Sequence, residues 1–313
     1  MTVIERLQDW NRAGIVTDAQ YHALSALVRN ERFSVFLELN ALLYLGVIAV
    51  VGGLAWTVQT HFTSLGDFFI LTVLSLFLAG SLFYCFSRAT AFSVEQTASP
   101  NFVFDYVLYF ACLVLSVELG YLEFNFQWLQ EAWPNYLLFS SIIFFILAHR
   151  FDNRLVLSLA LSTLAGWCGL SVSRFGFISS EPVRLTAIVY GVFIAIMGTA
   201  LHRQGLKRHF LETYLHIAAN VVFLALVSGM WDGRKVFYLA ALILLASVAI
   251  VLGVRFRRFA FVVYGTVFGY IGVSIQIVSG IHEFTAALAY IVTSGLCVII
   301  AIAVLARQFG RDE

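Results

Sequence analysis

Glu212, His216 and Asn220 stand four residues apart in the apolar stretch FLETYLHIAANVVF, so on a helix they share one face. A carboxylate, an imidazole and an amide in file could relay protons or line a polar path, because imidazole changes charge near neutral pH. At 1.5 Å of rise per residue the file would descend about 12 Å. A second file is Asp105, Tyr109, Cys112 and Ser116, with Glu118 further along. Ionisable groups in hydrocarbon are costly unless paired, which makes each a candidate for function. The competing reading is structural: Glu212 pairs with an inner-loop Arg such as Arg208, His216 and Asn220 bond other helices, and Asp105 and Glu118 snorkel to opposite interfaces. If the two stretches face each other, their files form one continuous path.

The elements that must carry these files are apolar stretches of membrane-crossing length. Hydrophobic residues make up 61% of the chain and charged residues 12%, about half the charged share of a soluble domain. A helix needs about 20 apolar residues to cross a hydrocarbon core of about 30 Å. Ten such stretches can be drawn: Phe36–Val58, Phe68–Ser87, Phe102–Leu122, Trp133–Leu147, Leu155–Val172, Val183–Leu201, Phe210–Ser228, Val236–Val254, Phe259–Val278 and Phe284–Leu305. The fourth is the shortest and borrows flanking aromatics. The expectation is an all-α, polytopic transmembrane helix bundle of about ten spans over residues 34–306. A helix-turn-helix hairpin over 1–33 precedes it, and a tail over 307–313 follows.

Loop charges orient the map. Of the 19 Lys and Arg residues, all but Arg174, Arg184, Arg234 and Lys235 fall on the face that also holds both termini, and the Lys/Arg-rich face is the cytoplasmic one. The expected location is the cell inner (plasma) membrane, multi-pass, with both termini cytoplasmic. On the opposite face, EFNFQWLQEAWPNY carries Phe124, Phe126, Trp128, Trp133 and Tyr136, the composition of an interfacial aromatic belt.

Other patterns limit the function classes. A net charge of +1 argues against nucleic acid as a partner. Cys85, Cys112, Cys168 and Cys297 lie singly in separate stretches, so neither a disulfide framework nor a metal site is expected. There is no phosphate-binding GxxxxGK[ST], no HExxH and no GxSxG, and on that ground neither enzymatic activity nor a cofactor is expected. Gly265, Gly269 and Gly272 form a small-residue face that permits close helix packing, inside the bundle or between protomers.

The amino-terminal hairpin has a readable design. Ile4, Leu7 and Trp10 recur at helical spacing, and Gly14 can take the left-handed stop. Thr17-Asp18-Ala19-Gln20 reads as a capping box, with Thr17 and Gln20 bonding reciprocally. Tyr21, Leu24, Leu27 and Val28 then share a face of a second helix. Such short helices bury little alone and need each other, the membrane surface or a partner.

The run Leu7…Trp10-Asn11-Arg12-Ala13-Gly14-Ile15-Val16-Thr17-Asp18-Ala19-Gln20 resembles the opening of a bacterial family of membrane proteins, domain of unknown function 2157. That family begins with a Leu/Trp helix, a Gly-Ile-(Ile/Val)-Thr turn and an acid-rich helix start, then a Gly-rich first span like Leu45-Gly46 to Gly52-Gly53 here. Its first span often ends in Asn-Trp, whereas this chain has Thr60-His61-Phe62. The resemblance covers about the first sixty residues and implies a many-spanning inner-membrane protein, with no catalytic residue to carry over. Two functions stay open. One is a small-solute, ion or proton-coupled permease using the Glu212 file. The other is a non-catalytic membrane scaffold or sensor that recruits a partner through the hairpin. The lipid bilayer is a partner in either case, and a homo-oligomer or a membrane partner protein is left open.

Overall fold

The computed structural model describes residues 3–21, 24–25, 36–61, 66–97, 99–173, 181–231 and 235–309. Among them are helices and turns and no strand. In chain order the helices are α1 (Val3–Arg12), α2 (Phe36–His61), α3 (Asp67–Arg88), α4 (Phe102–Phe126), α5 (Asn135–Phe151), α6 (Arg154–Ser173), α7 (Glu181–Arg203), α8 (Leu211–Ser228), α9 (Lys235–Arg255), α10 (Phe259–Val278) and α11 (Phe284–Phe309). Among the described residues nine helices, α3 to α11, are long and apolar enough to cross a membrane. α2 has 26 residues, with a described apolar stretch at Ala41–Gly53. This is an all-α, multi-pass membrane protein with lipid as its surrounding solvent.

The fourth stretch is longer than its sequence suggests. α5 continues past Leu147 to Phe151 and is preceded by a 3₁₀ turn at Gln130–Ala132. His149 and Arg150 read as a polar boundary, yet Ala148 and Phe151 beside them are buried.

Residues 41–231 form one compact unit. Within it α6 packs against α4, α5, α7 and α8, and its Val156, Leu157, Ala160 and Leu161 are fully buried. Around them sit Phe104 and Leu108 of α4, Phe144 of α5, Ile194 of α7 and Tyr214 of α8. Polar ties pin the centre: the Ser141 hydroxyl donates to the Ala160 carbonyl at 3.0 Å and the Tyr190 hydroxyl to the Leu161 carbonyl at 2.6 Å.

The second unit takes residues 1–40 and 232–313. Its α9 and α10 pack closely, and α10 meets α11 through hydroxyl pairs, Tyr270 with Ser294 at 3.0 Å and Ser274 with Tyr290 at 3.2 Å. Leu288, Ile291, Leu296 and Ile299 of α11 are exposed, as lipid-facing residues are.

At the amino terminus α1 stops on Gly14, whose φ of 72° is a left-handed conformation that glycine takes without steric cost. The Ile15 amide returns to the Trp10 carbonyl at 2.9 Å. Helix resumes at Asp18, where the Gln20 amide donates to the Thr17 hydroxyl at 3.4 Å and the Thr17 amide to the Gln20 side chain at 3.1 Å. Leu27 and Val28 lie outside the described residues.

Candidate functional site

The densest polar constellation is the corner Asp152-Asn153-Arg154, which joins α5 to α6. Asp152 ends α5 in the left-handed region, φ 58°, with its amide returned to the Ala148 carbonyl, a conformation that a short acidic side chain tolerates. Asn153 then caps α6, its side-chain oxygen accepting from the amides of Leu155 at 2.9 Å and Val156 at 3.0 Å. Each corner residue reaches a different part of the unit.

Asp152 is the buried hub, its side chain 3% exposed. One oxygen accepts from the Thr97 amide at 2.5 Å and hydroxyl at 3.0 Å, and pairs with the Lys207 ammonium at 3.2 Å. The other meets His209 Nε2 at 2.5 Å. Three donors thus converge on one carboxylate oxygen and His209 meets the other. Burial pushes the Asp152 carboxyl up, but Thr97, Lys207 and His209 outweigh it and hold it below the ordinary carboxylate value. Held ionised by these partners, the group is a clasp and a weak base.

Lys207 is 5% exposed and also holds left-handed backbone, φ 44°. Its ammonium reaches the Glu95 carbonyl at 3.4 Å and lies 5.5 Å from the Phe92 ring centroid, while its amide donates to the Val94 carbonyl at 3.0 Å. Arg150 adds a bond to the Thr90 carbonyl at 3.0 Å. The segment between α3 and α4 is thereby strapped over the α5–α6 and α7–α8 turns.

The other two corner residues collect one member of each polar file. The Asn153 amide donates to Asp105 of α4 at 2.8 Å, on the oxygen that also accepts from the Ser99 hydroxyl at 2.8 Å. Arg154 pairs with Glu212 of α8 at 3.6 Å, both side chains about half exposed. Glu212 thus pairs with an inner-loop Arg, here Arg154. Further along α8, the Asn220 amide donates to the His216 carbonyl at 2.8 Å, one turn back on its own helix.

Along α4 the file members take separate surroundings. Tyr109 meets the Tyr44 ring edge-on at 5.3 Å between centroids, Ser116 donates to the Cys112 carbonyl at 3.2 Å, and Glu118 accepts from Ser75 of α3. α6 packs against both α4 and α8. The two files are tied through the corner, by Asp105–Asn153 and Arg154–Glu212. Gly265 and Gly272 of α10 lie against α9: a Cβ on Gly265 would stand 2.5 Å from the Ala246 carbonyl oxygen, and one on Gly272 would run into Leu242. Gly269 is looser, with Ala246 Cβ 3.4 Å away from such a carbon.

Sequence reasoning passed over Thr97, Asp152, Asn153, Lys207 and His209. The available signal was three consecutive polar residues in the short turn between two apolar stretches, with Asn three residues before Val156 as a helix cap. The partners Thr97 and Lys207 are 55 residues away on either side and no local pattern connects them to the corner.

Residues 8–157 match the family described as Predicted membrane protein (DUF2157). The match extends well beyond the sixty residues that carry the resemblance, and it takes in the whole corner but not Lys207, His209 or Glu212. No curated protein and no solved structure matches the chain.

Proposed function

We propose, on the premise that residues 8–157 belong to this family of membrane proteins, that the chain is a non-catalytic scaffold whose amino-terminal hairpin recruits a partner. The observation that carries this reading is the engagement of the polar residues by their own protein. Glu212 pairs with Arg154, Asn220 bonds its own helix, Asp105 accepts from Ser99 and Asn153, and one oxygen of Glu118 accepts from Ser75. A solute path needs such groups turned toward a lumen. The hairpin meanwhile exposes apolar side chains, with Trp10 at 49% and Ile15 at 70%. Asn11 braces the turn by donating to Asp18 at 2.9 Å and to the Val16 carbonyl at 3.2 Å, so those side chains are offered on an ordered frame.

The membrane is taken to be the cell inner membrane with both termini cytoplasmic, on the strength of the loop charges. Removing residues 1–30 is expected to abolish co-purification of the partner while the chain still inserts. Unchanged co-purification overturns the reading. Reporter fusions after Gly205 and after Arg257 should both report the cytosolic face; opposite faces would overturn the orientation.

The second reading is a proton-coupled or small-solute permease. Its support is the uninterrupted helix α8 (Leu211–Ser228), which keeps Glu212, His216 and Asn220 in line. In reconstituted vesicles loaded with a pH-sensitive dye, a proton flux that His216→Ala removes would favour it over the scaffold. Equal, negligible flux from both proteins would dismiss it.

A further inference from the structure

At the far end of α4 from Asn101, two open clefts share a wall. The first, about 600 Å³, is lined by Glu123, Phe124, Gln127, Gln130, Glu131 and Trp133. The second, about 320 Å³, shares Glu123, Phe124 and Trp133 and runs between α4 and α5 to Ser116 and Ser140. Ser116 lies seven residues back from Glu123, about 10 Å along a helix. A polar mouth therefore opens into a slot whose walls are mainly hydrocarbon, the form of a site for an amphiphile.

The chemistry of the mouth says which one. Glu123 and Glu131 supply two carboxylates, and the chain holds no Lys or Arg between Arg88 and Arg150, so no cation from this stretch neutralises them. Gln127 and Gln130 supply two side-chain amides, and an amide N–H can donate to a phosphate oxygen. Phe124 and Trp133 are exposed, 68% and 45%, and an aromatic face attracts an organic cation. Carboxylates for an ammonium, amides for a phosphate and an apolar slot for a chain together describe one molecule. Interfacial aromatics also set this loop at head-group depth.

We propose that this cleft binds a bilayer phospholipid with a primary-ammonium head group, of the phosphatidylethanolamine class. The ammonium lies between Glu123 and Glu131, the phosphate against Gln127 and Gln130, and one acyl chain in the slot between α4 and α5. A choline head has no N–H for the carboxylates, and a glycerol head has no cation.

The test is native mass spectrometry of the full chain in a nonionic detergent, with dioleoyl phosphatidylethanolamine, phosphatidylcholine or phosphatidylglycerol added separately. Saturable binding of phosphatidylethanolamine, at least ten-fold tighter than either other lipid, is expected. Glu131→Gln should remove most of that preference. Glu123 also accepts from the Leu129 amide at 3.0 Å, so Glu123→Gln can disturb the loop and the first variant carries the weight. As an independent check on the unaltered mouth, phosphatidylethanolamine brominated on its acyl chain should quench the emission that is lost in Trp133→Phe. Equal binding of the three lipids, a preference that survives Glu131→Gln, or no quenching of Trp133 would each overturn the proposal.

Discussion

In the unit of residues 41–231, the turns at one end are held by charged and amide side chains: Asp152 with Thr97, Lys207 and His209, Asn153 with Asp105, and Arg154 with Glu212. Between α9 and α10 the contact is of another kind. A Cβ on Gly253 would stand 2.7 Å from the Val262 side chain, and one on Gly265 2.5 Å from a backbone oxygen. Surrounding lipid is as apolar as leucine, so burying leucine between helices gains little, and association falls to close packing and to polar bonds. One region relies mainly on each. The small-residue contact is local, spread along a helix face and tolerant of the environment. The ionic corner is concentrated in a few atoms and responsive to protons.

The corner is therefore where the largest single effect is expected. Asp152→Ala leaves the Lys207 ammonium, 5% exposed, without its carboxylate, and breaking a buried pair costs about 3–5 kcal/mol. Thermal melting of the purified protein in detergent should fall accordingly. Acid should act in the same direction. Because the folded carboxyl is held below the ordinary value of 3.8, its stabilisation is complete above that value and is lost as pH falls through the depressed one. A melting profile against pH should drop in that acid window for the native chain and lose that drop in Asp152→Ala. An unchanged melting temperature for the variant would erase the contrast between the two regions.

The glycine face comes next. Gly265→Val drives atoms toward the Ala246 carbonyl and toward Ile250, 2.7 Å from the added Cβ. Overpacking of this kind costs about 1–3 kcal/mol. The melting temperature should fall with no dependence on acid, which separates this contact from the corner. Gly269→Ala, where Ala246 Cβ stands 3.4 Å away, should be tolerated far better.

These contrasts also explain how much could be read from the chain alone. Helical class, approximate span number and the glycine face of α10 follow from hydropathy and from residues three and four apart, which are local patterns. The reach of α5 to Phe151 does not, because burial of Ala148 and Phe151 depends on neighbours elsewhere in the unit. Among candidate residues, the spacing of Glu212, His216 and Asn220 is legible, and so is an inner-loop Arg as the partner of Glu212, though not which one. Arg208 and Arg154 are both plausible cations near that helix end, and only the α5–α6 turn brings Arg154 to it. Asp152 was the hardest to see. A lone acid in a turn reads as solvated until Thr97 and Lys207, far off in sequence, are found around it.

A smaller effect probes the interior of the unit between these extremes. Tyr190 is 5% exposed and its hydroxyl reaches the Leu161 carbonyl at 2.6 Å. Tyr190→Phe keeps the ring and removes one neutral hydrogen bond, worth about 0.5–1.5 kcal/mol. The loss should be resolvable by melting and independent of salt. A cost as large as that of Asp152→Ala would move the weight of the polar adhesion from the corner to the helix centre.

The smallest effect is expected two residues from the largest. Arg154 and Glu212 are 3.6 Å apart with side chains 47% and 45% exposed. An exposed pair in water contributes about 0.2–1 kcal/mol and is weakened by salt. Arg154→Gln should therefore lower the melting temperature slightly at low salt and hardly at all at high salt. The contrast with Asp152 is the informative part, since two residues of one corner would then differ several-fold through burial. In hydrocarbon the exposed sides of the same pair would lack solvation, and its loss would become costly and insensitive to salt. A large, salt-independent cost for Arg154→Gln would thus move the bilayer boundary past the corner. The Glu212 carboxylate would then lie inside the membrane, with an arginine as its counter-charge.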